Sequence, residues 1–373
     1  MAKLRQSQVV MLDHSKAKVE LLEKYLQKYL SIIANDGFTT KINLFDLFCG
    51  EGIYENGGEG SPIATLRVLK ELYFINKAKN KTIPKVDIVF NDLDETKIEK
   101  LKKVIAEKKL HYEEFGLLHY RSKDYKVLVE NLSEYINKFK NEKAFIFIDP
   151  YGYKEIRASE IKNLLASKKS EVLLFLPTQF MYRFDEKGTP QALIEILEEL
   201  VDLKDWKSSN SVYEFIEQFK TGLRQYLGND FFVDTFTIQK DEPTVFCLFF
   251  FSSHIRGFEK MLETKWQIDQ DHGKGWSYEK TGDLFSPIKT NYLEERLLRY
   301  ISENDKTYNG DVYEFVLRLG FLPKHASEIF TSLQNESNLE VLSDKEEKVR
   351  KGAFYISYDN YKNEFHKVYF KIK

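Results

Sequence analysis

Apolar residues recur at helical spacing from His14 to Ile33, at Val19, Leu22, Leu26, Tyr29 and Leu30, and Asn35-Asp36-Gly37 follows as a stop signal. From residue 42 the rhythm changes. INLFDLF (42–48), VDIVFND (86–92), AFIFIDP (144–150) and EVLLFLP (171–177) are short apolar runs that predict buried strands, and LLHYRSKD (117–124) predicts a shorter one. IATLRVLKELYFI and ETKIEKLKKVIAEKK, lying between them, have the period of amphipathic helices. Strands buried on both faces and separated by helices predict a parallel, doubly wound sheet. QALIEILEELV and SVYEFIEQFKTGLRQYL predict two more helices, and FFVDTFTIQ and TVFCLFFFSS, separated by KDEP, predict a hairpin.

An α/β sheet of this kind, closed by an antiparallel β6/β7 pair, is the Rossmann-like outline of class I methyltransferases, although topology alone does not give function. The last eighty or so residues read differently. YLEERLLRYISEN, DVYEFVLRLG and KHASEIFTSLQNES predict three short helices, and LEVLSDKEEKVRKGAFYISYD predicts two strands around a charged tip. Three helices and a hairpin make a winged-helix-like pattern. The expected organisation is an N-terminal helical segment (1–40), a methyltransferase-type domain (41–266), a linker (267–285) and a winged-helix-like module (286–373). Lys345, Lys348, Arg350 and Lys351 cluster in the wing, yet residues 286–373 hold 14 basic and 14 acidic residues. Nucleic-acid contact and protein docking both remain open for this module.

Composition narrows the classes. The chain has 56 basic and 58 acidic residues, so any nucleic-acid contact comes from local patches rather than from a basic whole. Two cysteines, Cys49 and Cys247, exclude a disulfide framework and a cysteine-rich zinc site. Seven histidines show no metallohydrolase spacing, and no metal is expected. MAKLRQSQVV lacks the apolar core of a signal peptide, and the longest apolar string, VFCLFFF (245–251), is strand-sized. A cytoplasmic protein with no membrane contact is expected.

The chemistry gathers at strand ends. After the first strand, Gly50 to Gly60 contains five glycines (Gly50, Gly52, Gly57, Gly58, Gly60) interleaved with Glu51, Glu55 and Glu59. Such a turn brings backbone close to a ligand. It lacks the lysine of a phosphate-binding loop, and its acids would repel phosphate. Asp46, Cys49, Gly50 and Gly52 instead suit a cationic, zwitterionic ligand with a ribose, and S-adenosylmethionine fits. The second strand ends in Asp92, with Asp94 two residues on, where nucleoside-binding folds place a carboxylate for ribose hydroxyls. The third ends at Asp124, a candidate acceptor from an adenine amino group. Singly, each aspartate also reads as a helix cap or turn residue; four in phase along one sheet edge point to a ligand.

The fourth strand ends in Asp149-Pro150-Tyr151-Gly152. Enzymes that methylate amino groups of bases use such a segment: a polar side chain accepts from the target N–H, a proline fixes the neighbouring carbonyl, and an aromatic stacks on the base. D-P-[FY]-G is similar to the tRNA guanine-N2 dimethyltransferases, whereas D-P-P-Y has a second proline that this chain lacks. Cytosine C5 methylation would need a cysteine nucleophile, and neither cysteine follows this strand.

DLFCGEGIYENGGEGSP, FIFIDPYG and SEVLLFLPTQFMYRF resemble the three-Cys-motif partner (TcmP) family of methyltransferases, with the likeness covering roughly residues 10 to 265. Cys49 stands where that family more often has alanine, and Tyr182-Arg183 where it tends to have Asn-Arg. The resemblance implies a transferase that uses S-adenosylmethionine, acts on RNA or DNA, and works with a separate protein bearing three cysteines. It also implies a substrate-side contact for Arg183. The alternative is a methyltransferase-like scaffold without turnover that docks a partner through its C-terminal module.

Overall fold

The computed structural model describes residues 10–185, 190–278 and 291–373. The chain divides into two compact units, one of residues up to His254 together with Lys274 onward to 278, the other of Ile255–Gly273 and the C-terminal residues. Residues 279–290, which include the end of the expected linker, lie outside the described residues, as do residues 1–9.

The first unit begins with helix α1 (Asp13–Ile33), then β1 (Lys41–Asp46), α2 (Ser61–Ala78), β2 (Lys85–Asn91), α3 (Glu95–Glu107), β3 (Leu118–Arg121) and α4 (Tyr125–Asn137). β4 (Glu142–Ile148), α5 (Ala158–Leu165), β5 (Ser170–Leu176), α6 (Thr178–Asp185), α7 (Gln191–Leu200), α8 (Val212–Leu227), β6 (Phe232–Asp241) and β7 (Thr244–Ser252) follow. One eight-stranded sheet runs β3-β2-β1-β4-β5-β7-β6-β8. β1 pairs in parallel with both β2 and β4, and β7 lies antiparallel to β5 and β6. Together with the winged-helix-like second unit, this is the α/β class I methyltransferase architecture that the alternation of apolar runs implied. β8 (Gly275–Ser277) is a three-residue strand inside the expected linker, paired in parallel with β6.

Continuous apolar strands force this arrangement. Every residue of β5 is buried, as is β1 after its first residue, so both sheet faces must be covered by helices. The strand order reverses between β1 and β4. Open α/β sheets leave a crevice there, beyond the carboxyl ends of the strands. α1 lies against α2 and is tied down by Arg67, which bonds Glu23 on α1 and Glu59 in the glycine-rich loop. No helix among the described residues is long and apolar enough to cross a membrane.

The second unit contains α9 (Ile255–Ile268), α10 (Asn291–Ser302), β9 (Thr307–Tyr308), α11 (Asn309–Arg318), α12 (Pro323–Asn335), β10 (Leu339–Leu342), α13 (Tyr358–Asn363) and β11 (Tyr369–Ile372). Its three-stranded sheet has the order β10-β11-β9, all antiparallel. The expected wing is corrected in part: the charged tip is closed by an antiparallel bridge between Leu342 and Lys348, but the second strand is not where it was expected. β10 pairs with residues 369–372, while GAFYI is irregular and contributes buried Phe354 and Ile356 to the core. Trp266 of α9 donates its indole N–H to the Gly320 carbonyl at 3.0 Å, which attaches that helix to the winged-helix elements.

Candidate active site

Three carboxylates meet at the crevice. Asp46, the last residue of β1, is buried; its Oδ2 accepts from the Ser61 hydroxyl at 2.6 Å and its Oδ1 from the Phe48 N–H at 3.4 Å. Burial pushes Asp46 up to about 7, against the Ser61 hydrogen bond and with the help of the nearby Asp149 charge. Asp92, directly after β2, accepts from the Gly50 N–H at 3.1 Å and the Asp94 N–H at 3.0 Å. Its carboxylate thus shapes the glycine turn from the end of the neighbouring strand. Asp149, directly after β4, is ion-paired with Lys18 of α1.

Lys18 was not singled out in the sequence. Its ammonium is enclosed by Asp149, the electrostatic reach of Asp46 and Tyr54, and the face of Phe175, whose centroid lies 4.6 Å away. Burial works against the charge, and the Asp149 carboxylate outweighs it, so the ammonium sits above its ordinary value. One turn earlier, His14 stacks on Phe246 with ring centroids 5.3 Å apart, and Phe246 stacks on Phe175 at 5.2 Å. Burial, with Lys18 adding, lowers His14 to about 4 and leaves it neutral.

The glycines divide by cause. Gly50 has φ +64°, and a β-carbon there would meet nothing within 4 Å, so the space beside it is open to a ligand. Gly52 has φ +82°, and a β-carbon there would lie 2.5 Å from Leu101 and 3.3 Å from Ile63. Positive φ and ligand space were the expected reasons for both glycines; both have positive φ, and at Gly52 packing takes the place of ligand space. Cys49 is buried with its thiol on the Gly50 carbonyl at 3.5 Å, and burial raises its pKa well above the usual value.

Asp94 and Asp124 stand at helix starts. Asp94 accepts from the Thr96 N–H at 2.9 Å and caps α3, and Asp124 accepts from the Lys126 N–H at 2.9 Å and caps α4. Both are exposed. Asn91 was also missed. Its amide donates to the Leu47 and Lys123 carbonyls, each at 3.1 Å, and accepts from the Lys123 N–H at 3.0 Å. It ties together the ends of three strands.

Tyr151 connects this crevice to a second space. Its hydroxyl donates to Asp92 Oδ2 at 3.4 Å and accepts from Lys97, whose ammonium lies 4.6 Å from the tyrosine ring centroid. Its other neighbours, Gly152, Tyr153, Pro177, Phe180 and Pro190, line an open cleft of about 430 Å3. Arg183 is exposed on α6, its guanidinium 5.9 Å from the Phe180 ring centroid. Its neighbour Tyr182 packs on Phe215 at 6.4 Å. Among the described residues no cluster of histidine, cysteine and acidic side chains could hold a metal.

Residues 267–346 match the GMT-like wHTH domain. No curated protein matches the chain in sequence. Among solved structures, a putative rRNA methylase from Clostridium thermocellum is 11% identical, covers 64% of this chain and 98% of its own, and gives a TM-score of 0.31. The O-methyltransferase from the trans-AT PKS multienzyme of Brevibacillus brevis, in complex with S-adenosyl-L-homocysteine, is 14% identical over 66% of this chain and 76% of its own, with a TM-score of 0.26. The bifunctional kinase-methyltransferase WbdD is 12% identical over 90% of this chain and 75% of its own, with a TM-score of 0.36.

Proposed function

We propose that the chain is an S-adenosylmethionine-dependent methyltransferase acting on an exocyclic amino nitrogen of a nucleic-acid base, in RNA or DNA, together with a separate three-Cys-motif partner protein. The partner and the polymer come from the family resemblance. The chemistry comes from the site, and Tyr151 is the observation that carries it. One side chain both lines the cleft and reaches Asp92, so D-P-Y-G lies between a carboxylate-lined crevice and a cleft with room for a base.

The residues present fit the donor. Gly50 leaves an open cradle at the switch point, and carboxylates with one lysine suit a ligand carrying both an ammonium and a carboxylate. Bound there, S-adenosylmethionine would supply an electrophilic methyl group on sulfonium. Asp46, Cys49, Gly50, Gly52 and Asp92 would hold it, with Asp94 and Asp124 at the rim. Asp149 accepts from the N–H of the target amino group and offsets positive charge that develops on nitrogen. Pro150 fixes the adjoining carbonyl, Tyr151 offers its ring to the base, Gly152 keeps the cleft wall clear, and Arg183 serves the substrate side.

The test is transfer of labelled methyl from S-adenosylmethionine to total RNA, genomic DNA and small metabolites, with Asp149→Ala alongside and donor binding measured by calorimetry. Label in one polymer, lost with the variant while donor affinity persists, supports the proposal. Donor binding with no label in any pool, even with a partner added, overturns it in favour of a scaffold.

A further inference from the structure

In the winged-helix unit the exposed cations Lys345, Lys348, Arg350 and Lys351 sit in the wing and not on the helix that would enter a groove. The exposed positions of α12, the second helix of the motif and the one that enters the groove in helix-turn-helix DNA binders, are Lys324, Glu328, Thr331, Ser332 and Asn335, with one cation among them. A stronger surface lies on the first unit, at the end of the sheet away from D-P-Y-G. Phe74 and Ile75 at the end of α2, Tyr112 and Leu117 before β3 are 45%, 53%, 37% and 58% exposed. Phe74 meets Tyr112 edge-on with centroids 6.2 Å apart, and both rest on buried Phe115. Phe74 and Tyr112 thus form an exposed aromatic pair, with exposed Ile75 and Leu117 next to them along the chain, of the kind that marks an interaction site.

Cations surround it. Lys70 reaches over the Tyr112 ring at 5.5 Å, and Lys77 over the Tyr73 ring at 5.6 Å. Lys79, Lys81 and Lys109 are exposed as well. Among the described residues, none of Lys70, Lys77, Lys79, Lys81 or Lys109 has a carboxylate within 4.0 Å. The nearby acids are Glu71, Glu107, Glu113, Glu114 and Asp87, the last accepting from the Leu117 N–H at 2.9 Å and paired with Lys41. Lys70 donates to the Lys109 carbonyl at 2.9 Å, and aromatic rings set among ammonium groups with no carboxylate partner match single-stranded nucleic acid, which offers base faces and phosphates in alternation. A folded acidic protein would meet the charge but would not need flat aromatic faces set among it. α3 carries Lys97 at its Asp92 end and leads to Lys108 and Lys109 at the other, a span of about 20 Å by helical rise. That distance corresponds to a few nucleotides.

We propose that Phe74, Tyr112 and Leu117, with Lys70, Lys77 and Lys79, form an anchoring surface for single-stranded nucleic acid, separate from the D-P-Y-G site. This surface is testable without any methyl transfer, so its failure and that of the catalytic reading are separable. The probe is a fluorescein-labelled oligouridylate about twenty nucleotides long, followed by anisotropy with the full chain across a salt series. Phe74→Ala/Tyr112→Ala is expected to weaken binding about tenfold or more with little change in salt slope. Lys77→Gln/Lys79→Gln/Lys81→Gln, at the exposed end of α2 and just after it, with thermal unfolding checked alongside, is expected to weaken binding and lower the slope by about two. A duplex of the same length should compete poorly with the wild-type chain. Wild-type binding unchanged by both variants, equal binding of duplex and single strand, or no binding of the probe at low salt would each overturn the proposal.

Discussion

Lys18, early in α1, donates a hydrogen bond to Oδ2 of Asp149, 131 residues further along the chain. The pair joins the N-terminal helix to the D-P-Y-G segment, and its side chains are only 11% and 20% exposed. Removing one partner leaves the other charge enclosed and uncompensated. Lys18→Met is therefore expected to destabilise the chain by about 2 kcal/mol in urea unfolding, and Asp149→Ala by a similar amount. The double variant should lose less than the sum. Strict additivity would mean that the two groups do not interact in solution.

The two glycines of the first turn should respond differently. Gly50→Ala places a side chain in open space at φ +64°, so its cost is backbone strain of about 1 kcal/mol, with a larger loss in donor affinity. Gly52→Ala adds a collision with Leu101 and Ile63 and should cost more stability than Gly50→Ala. Combining Gly52→Ala with Leu101→Ala should recover part of the collision. Thermal unfolding with and without donor separates the two effects. Equal stability losses at both glycines would refute the assignment of Gly52 to packing.

Two buried carboxyls give a pH dependence opposite in sign to that of an ordinary paired acid. Asp46 is raised from 3.8 to about 7, by burial first, and Glu171 from 4.5 to about 7, by burial against hydrogen bonds from Tyr25 and Ser252. Between the unfolded and folded values, the folded chain binds protons that the unfolded chain has released. Stability from these groups is thus present below about pH 4 and lost as pH rises through about 7, on the order of 3 to 4 kcal/mol each at most. Asp46→Asn and Glu171→Gln should each flatten the decline between pH 5 and 8. A wild-type stability that rises over that window with both variants unchanged would refute it.

The sheet was legible because its strands are continuous apolar runs that end in phase at aspartates. That pattern survives without tertiary information. Lys18 was not legible, since a lysine on an amphipathic helix reads as solvated until Asp149 is brought to it by long-range packing. The wing misled for a related reason. Phe354 and Ile356 alternate like a strand because both are buried, but the residues that pair with β10 come after α13, and such a non-local partner leaves no local mark. Asp94 and Asp124 show the limit of reading carboxylates at strand ends, where a helix start demands a cap for its own reasons.

Tyr151 separates acceptor recognition from donor recognition. Its hydroxyl contacts Asp92 and Lys97, on the donor edge, and its ring lines the cleft. Tyr151→Phe removes the first set of contacts and keeps the ring, so donor affinity should shift modestly while the KM for the polymer stays near the wild-type value. Tyr151→Ala removes both, and loss of base stacking should raise that KM about tenfold or more. Lys97→Met provides the converse: it frees the hydroxyl and leaves Asp92 without its 3.6 Å cation, so the change should appear in donor affinity and not in polymer KM. Steady-state transfer with each variant, alongside calorimetric donor binding, reads both quantities. If Tyr151→Phe and Tyr151→Ala gave the same polymer KM, the ring would have no part in holding the base, and the cleft beside D-P-Y-G would lose its claim on the acceptor.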